Sequence, residues 1–201
     1  MRLYPLLLAT ACLGVCFEAS AVDMTVYGIE IGAPFRMAEC AYVWSGYLKQ
    51  YQSPREPCLQ AMYPIEDVPI KGASPDVQVH FPVNDLPRAL APAKFITPLV
   101  IGEKLALLTI PTDGIDSQAQ IYADLTAKYG KPSSRWASTL QNGFGAKYVA
   151  VLARWELPGL RVEFVGAANR IDTGVIRIGT PAGHREAARQ EKAAARSGPR
   201  L

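Results

Sequence analysis

Residues 132–165 read PSSRWASTLQNGFGAKYVAVLARWELPGLRVEFV, and the fold turns on how this stretch pairs with itself. Asn142-Gly143 is the strongest hairpin signal in the chain, since both residues tolerate the positive φ of a two-residue type I′ turn. It joins a strand over 135–141 to one over 144–157, and Gln141 opposite Phe144 sets Trp136 opposite Val149. Pro158-Gly159 turns the chain again. With Leu157 facing Leu160, Trp155 meets Val162 and Ala153 meets Phe164. Trp136, Val149, Val151, Trp155, Val162 and Phe164 then share one apolar face. The same register sets Glu156 opposite Arg161 and Glu163 opposite Arg154. An Arg neighbour lowers a carboxylate pKa, which is wrong for a general acid, so these pairs read as a solvated charge ladder.

Upstream of this meander, Gly102-Glu103 is a tight turn between strands over 99–101 and 104–110. A helix follows from Asp116 or Ser117, with Ser117 and Gln120 spaced as a capping box and Ile121, Tyr122, Leu125 and Tyr129 as its apolar stripe. Gly130 and Pro132 stop it. Downstream, residues 175–180 supply a last strand with Ile176 and Ile178 inward. The expected fold class is therefore α+β, an antiparallel β-meander packed against one or two helices, with an N-terminal disulfide-linked region. In that N-terminal part, residues 25–31 alternate as one strand with Tyr27, Ile29 and Ile31 on one side. Residues 37–51 carry Cys40, Val43, Trp44, Tyr47 and Tyr51 at helical intervals, ended by the Pro-rich 53–57. Residues 77–81 alternate as a strand with His80 on its polar face, and the Pro-rich 83–98 reads as surface loop.

The first 21 residues read as a signal peptide: Arg2, an apolar run from Leu6 to Phe17, then the small-x-small Ala19-Ser20-Ala21. The run is too short to span a bilayer, which takes about 20 apolar residues. Cleavage near Ala21 places the rest in the periplasm or outside the cell. Lipidation at Cys12 or Cys16 is the less favoured route, because neither is preceded by a fitting lipobox. Residues 22–183 form the single domain, divided into a disulfide-containing part over 22–98 and a hairpin–helix–meander part over 99–183. Once the leader is removed, only Cys40 and Cys58 remain, and in an oxidising compartment the two pair with each other. The formal net charge is +3. All of it falls in the Ala-rich tail over 184–201, where Arg185, Arg189, Lys192, Arg196 and Arg200 outweigh Glu186 and Glu191. That tail reads as a solvated extension with at most weak attraction to an anionic membrane surface.

No catalytic constellation, metal site or cofactor motif stands out. Asp113-Gly114-Ile115-Asp116 lacks the further oxygen ligands of a calcium loop, and neither His80 nor His184 has a nucleophile beside it. A neutral core without interleaved basic and aromatic residues argues against nucleic acid. The helix ending at Tyr129-Gly130-Lys131-Pro132 and leading through Trp136 into the meander resembles the element of BamE/SmpA-type outer-membrane assembly lipoproteins and β-lactamase-inhibitor-protein-like repeats. There a short helix ends in Gly-x-Pro and feeds a three-stranded antiparallel sheet. The resemblance implies a fold and a compartment, those of an exported Gram-negative bacterial protein, and no substrate. Export, a disulfide, ample surface aromatics and the lack of a catalytic constellation together lead to the expected function, non-catalytic binding of an envelope protein partner, with Tyr42, Tyr63 and Phe144 as candidate contact residues. Two rivals stand beside it. One is an enzyme whose site gathers Asp113, His80 and Glu39, and the other is a small-ligand carrier with an apolar cavity under the meander.

Overall fold

Twelve strands and two helices make up the computed structural model, which describes residues 22–62, 77–82, 95–141, 143–168 and 170–197. The strands are β1 (Thr25–Val26), β2 (Ile29–Glu30), β3 (Tyr42–Ser45), β4 (Leu48–Tyr51), β5 (Cys58–Ala61), β6 (Val77–His80), β7 (Phe95–Ile101), β8 (Lys104–Thr112), β9 (Ser134–Gln141), β10 (Lys147–Leu157), β11 (Leu160–Val165) and β12 (Gly174–Gly179). The helices are α1 (Ile115–Tyr129) and α2 (Pro181–Ser197). Strand accounts for 47% of the described residues and helix for 21%, so the fold is mostly β, and the α+β expectation is corrected. Eight strands form one antiparallel sheet in the order β5-β6-β7-β8-β12-β11-β10-β9.

Two local misreadings carry that correction. Residues 37–51 are not a helix: β3 and β4 form a hairpin turned at Gly46, whose φ of 65° suits a tight turn and not a helix interior. Tyr42, Val43 and Trp44 also favour a pleated strand over a helix, where aromatic and β-branched side chains lose rotamer freedom. Residues 25–31 are likewise not one strand. Tyr27 (φ 51°) and Gly28 (φ 79°) make a two-residue turn between β1 and β2. The sheet also begins earlier than expected, since residues 95–98 belong to β7; the rest of the expected loop, 83–94, lies outside the described residues.

The connection through α1 carries the chain from β8 to the far edge of the sheet. The meander β9–β10–β11–β12 then returns until β12 pairs with β8, with Ile176 opposite Ile110 and Ile178 opposite Leu108. One face of this sheet holds Trp155, Val162, Phe164, Ile110, Ile176 and Ile178, all at 3% exposure or less. Ile121, Leu125 and Tyr129 of α1 close over it. Trp155 Nε1 donates to Gly130 O at 2.7 Å, tying the sheet to the end of the helix. No side chain caps the start of α1: Ser117 Oγ donates to Gly114 O, and Gln120 bonds Asp124. The capping box is therefore not formed.

The β10–β11 register is the expected one, with Trp155 opposite Val162, Ala153 opposite Phe164, Glu156 opposite Arg161 and Arg154 opposite Glu163. The β9–β10 register is not. Gln141 lies opposite Lys147, and Trp136 opposite Leu152, because the connection takes up residues 142–146, with Gln141 Nε2 donating to Gly145 O at 3.2 Å. An odd shift moves side chains to the other face. Trp136 accordingly leaves the core face and is 45% exposed, while Val149 keeps the face of Trp155 by alternation but is 58% exposed near the start of β10.

The other face of the sheet receives α2, so the Ala-rich stretch, helical over 181–197, is docked on the sheet where a solvated extension was expected over 184–201. The only large anchor near its start is His184, 6% exposed, whose Nε2 donates to Arg161 O at 2.9 Å. Its Nδ1 faces Glu163 at 3.5 Å, while Arg154 lies 3.1 Å from the same carboxylate and Arg177 pairs with Glu191 on α2. The His184 contact, helped by Arg154 and Arg161, holds the Glu163 carboxyl below its ordinary value of 4.5. A depressed carboxyl contributes stability that is present above pH 4.5 and lost as pH falls through the lower folded value. Glu163→Gln is thus expected to destabilise the protein well above pH 4.5, and the gap to the native chain should close well below it. Urea titrations on both sides of that pH check this, and an equal gap at both would refute it.

Candidate functional site

The β3–β4 hairpin is the most distinctive surface among the described residues. Pairing sets Tyr42 opposite Tyr51 and Trp44 opposite Lys49, so these four share one face of the hairpin. Lys49 is enclosed there, with a side-chain exposure of 0%. Its Nζ lies 4.3 Å from the centroid of the Tyr42 ring, 5.7 Å from that of Trp44, and 2.8 Å from Glu39 Oε1. Tyr51 donates its hydroxyl to the same oxygen at 2.7 Å and accepts the Ala61 N–H at 3.1 Å. Burial, and then the Glu39 carboxylate, push the Tyr51 phenol up from 10.0. A buried ammonium needs a counter-charge and hydrogen-bond partners, and the aromatic faces add cation–π attraction. The cage is therefore a scaffold: its amine faces a carboxylate and ring faces, away from solvent.

Beyond the enclosed amine the hairpin surface is apolar and wet. Trp44 is 53% exposed, Tyr47 76%, Val43 49% and Leu48 40%. Its base is held firmly, since the Cys40–Cys58 disulfide joins it to β5, as the two-cysteine count led us to expect. Cys40 N–H donates to Leu59 O at 2.8 Å, and Leu59 N–H to Ala38 O at 2.9 Å. Residues 38–40 therefore line the free side of β5. A stapled base, a charge-locked middle and an apolar tip form a rigid projection that needs little further ordering to bind.

No family model, curated protein or solved structure matches the chain.

The sequence-expected contact residues do not converge. Tyr42 is half-buried with its ring on Lys49, so it supports the hairpin more than it presents itself. Phe144 is 99% exposed in the β9–β10 connection, at the opposite edge of the sheet from β5. Tyr63 lies outside the described residues. Trp44, Tyr47 and Lys49 were missed because a helical reading of 37–51 buries every third or fourth residue. The alternation from Tyr42 to Trp44 and the Gly46 turn were the signals that could have revealed them.

The residues of an assembled enzyme site are also dispersed. Glu39 is held by Lys49 and Tyr51, while His80 stacks on Phe95 at 5.8 Å and meets Gln78 at 3.3 Å. Asp113 sits between β8 and α1, and among the described residues no contact joins the three. Burial lowers the His80 pKa from 6.5. Among the described residues no group of three His, Cys, Asp or Glu side chains is placed to hold a metal ion. No helix among them is long and apolar enough to cross a membrane.

A second feature lies under α2. Ala187, Ala193 and Ala194 are too small to fill the space above Thr97, Leu99 and Leu107, and a groove of about 560 Å³ remains. It is open along one side and mostly apolar.

Proposed function

We propose that the protein is an exported envelope protein that acts by binding a protein partner through the tip of the β3–β4 hairpin. The observation that carries this reading is the cluster of Trp44, Tyr47, Val43 and Leu48, each at least 40% exposed on a disulfide-anchored projection. Exposed apolar clusters of this kind mark interaction surfaces, and Trp and Tyr are the commonest binding hot spots. The leader-like N-terminus and the likeness of the α1–meander element to envelope assembly modules support an envelope location. The disulfide is compatible with it. Exposed Arg185, Lys192 and Arg196 on α2 support no more than weak contact with an anionic membrane surface.

The test is a paired capture. The tagged chain is expressed in a Gram-negative periplasm, crosslinked, and compared with the Val43→Ser/Tyr47→Ser variant. Both side chains are exposed and neither touches Lys49, so the variant is expected to melt as the native chain does, yet to lose at least about tenfold of the captured partner. A partner retained equally by both would overturn the hairpin reading.

The groove under α2 supports one other reading, a carrier for a small elongated apolar molecule, because about 560 Å³ lies within the range of ligand sites. Native mass spectrometry of protein drawn from its own periplasm would show such a ligand as a discrete added mass. A bare chain mass would count against a carrier.

A further inference from the structure

The eight-stranded sheet has two edges, and they are treated differently. At β5 the backbone is engaged by residues 38–40 and by the Tyr51 hydroxyl, as described above. At β9 nothing intervenes among the described residues. Gln118 of α1 bonds Val149 O and Val151 N–H on β10 at 3.0 and 2.7 Å, so the odd-numbered residues of β10 direct their peptide groups away from β9. The even-numbered residues therefore bond β9, where Ala150 lies opposite Ser138 and Leu152 opposite Trp136. On β9 itself, Arg135, Ala137 and Thr139 are left with N–H and C=O groups aimed outward, unpaired among the described residues.

Edge strands are normally blunted by proline, bulges, dense charge or a covering segment. β9 runs Ser-Arg-Trp-Ala-Ser-Thr-Leu-Gln without proline, pairs with β10 in unbroken register, and carries Arg135 as its single charge. All but one of its residues are exposed. A lone charge selects neither an acidic nor a basic partner strand, but the strand does match itself. Antiparallel pairing of two β9 strands about Ser138 aligns the outward peptide groups of Ala137 and Thr139 with each other. It sets Trp136 against Leu140 and Arg135 against Gln141 of the second copy, so no like charges meet. Two apolar pairs, each of an exposed Trp136 with a half-buried Leu140, form on one face, and cross-strand aromatic–aliphatic pairs contribute about 0.2–1 kcal/mol each.

We infer that β9 pairs with β9 of a second copy in this register, joining two eight-stranded sheets across a twofold axis at Ser138. The interface is narrow, so the dimer is concentration-dependent and its population rises across the micromolar range. It uses the edge opposite the β3–β4 hairpin, and both hairpin tips stay available.

The test measures mass by light scattering over a dilution series of the full chain, alongside two variants. Ala137→Pro removes an N–H that points outward and contributes nothing to the bond with β10, so the sheet itself should survive. The expected result is a native dimer at high concentration and at least a tenfold weaker association for Ala137→Pro, about 1.4 kcal/mol. Ser138→Cys leaves the backbone intact and works even if the proline variant folds poorly. Facing residues in a non-hydrogen-bonded pair have Cα atoms about 4.5 Å apart, within disulfide reach. Mild oxidation should therefore give a covalent dimer, and peptide mapping should place the new disulfide between the two substituted positions. A native chain that stays monomeric throughout overturns the inference. So does a dimer indifferent to Ala137→Pro in a folded variant, or one that Ser138→Cys fails to crosslink.

Discussion

Replacing Trp155 by alanine is expected to cost about 3–5 kcal/mol, the range for emptying a large aromatic from a packed core. Trp155 is at 0% exposure and faces Val162 across the β10–β11 ladder. Its ring lies 6.1 Å from that of Tyr122 on α1, and its Nε1 is the bond that fastens Gly130 O at the end of the helix. Alanine therefore removes the aromatic contact between β10 and α1 and strips a carbonyl of its donor at the same point. Domains are stable by only about 5–15 kcal/mol, so this one substitution takes a large share. Trp155→Phe separates the two contributions. It keeps most of the ring but loses the donor, and should cost about 1–3 kcal/mol. Urea unfolding of the three proteins, followed by circular dichroism, measures both. A loss below about 1 kcal/mol for alanine would mean that α1 is held by something other than this side chain.

Loss of the Cys40–Cys58 bridge is the second large effect. The cysteines are 18 residues apart, and closing a loop of that size restricts the unfolded chain by about 3 kcal/mol. The Cys40→Ser/Cys58→Ser variant is expected to lose about that much in urea unfolding. The damage should also be local. Both sulfurs sit in buried residues at the hairpin base, beside the backbone bonds from Cys40 to Leu59 and from Leu59 to Ala38. Without the bridge, the hairpin should open below the global transition and admit protease cleavage between residues 42 and 51. Partner capture should fall with it. Uniform protection of that segment in the variant would show that the Lys49–Glu39–Tyr51 cage suffices to hold the projection alone.

The contrast between these regions explains what could be read from the sequence. The β10–β11 hairpin and α1 were legible because their signals are local: Pro158-Gly159 sets a two-residue turn, and Ile121, Leu125 and Tyr129 repeat at helical spacing. The disulfide was legible because reading residues 1–21 as a leader leaves only Cys40 and Cys58 to pair. The hairpin over β3 and β4 was not, since Cys40, Val43, Trp44, Tyr47 and Tyr51 match a helical period by coincidence. Periodicity alone cannot separate the two states in a short apolar run.

Likewise, Asn142-Gly143 signalled a two-residue turn, but the connection between β9 and β10 is longer than that signal. The longer connection shifted β9 by an odd number of residues and moved Trp136 from core to surface. With that shift, the candidate surfaces changed as well. Local chemistry in this chain determined which segments turn, which helix forms at 115–129, and which cysteines join. Tertiary structure decided the rest: the recruitment of β5, β6 and β7 into one sheet, the burial of His184 that docks α2, and the exposure of β9. These depend on contacts between residues far apart in sequence, whose loop-closure cost is repaid only when many strands pair together.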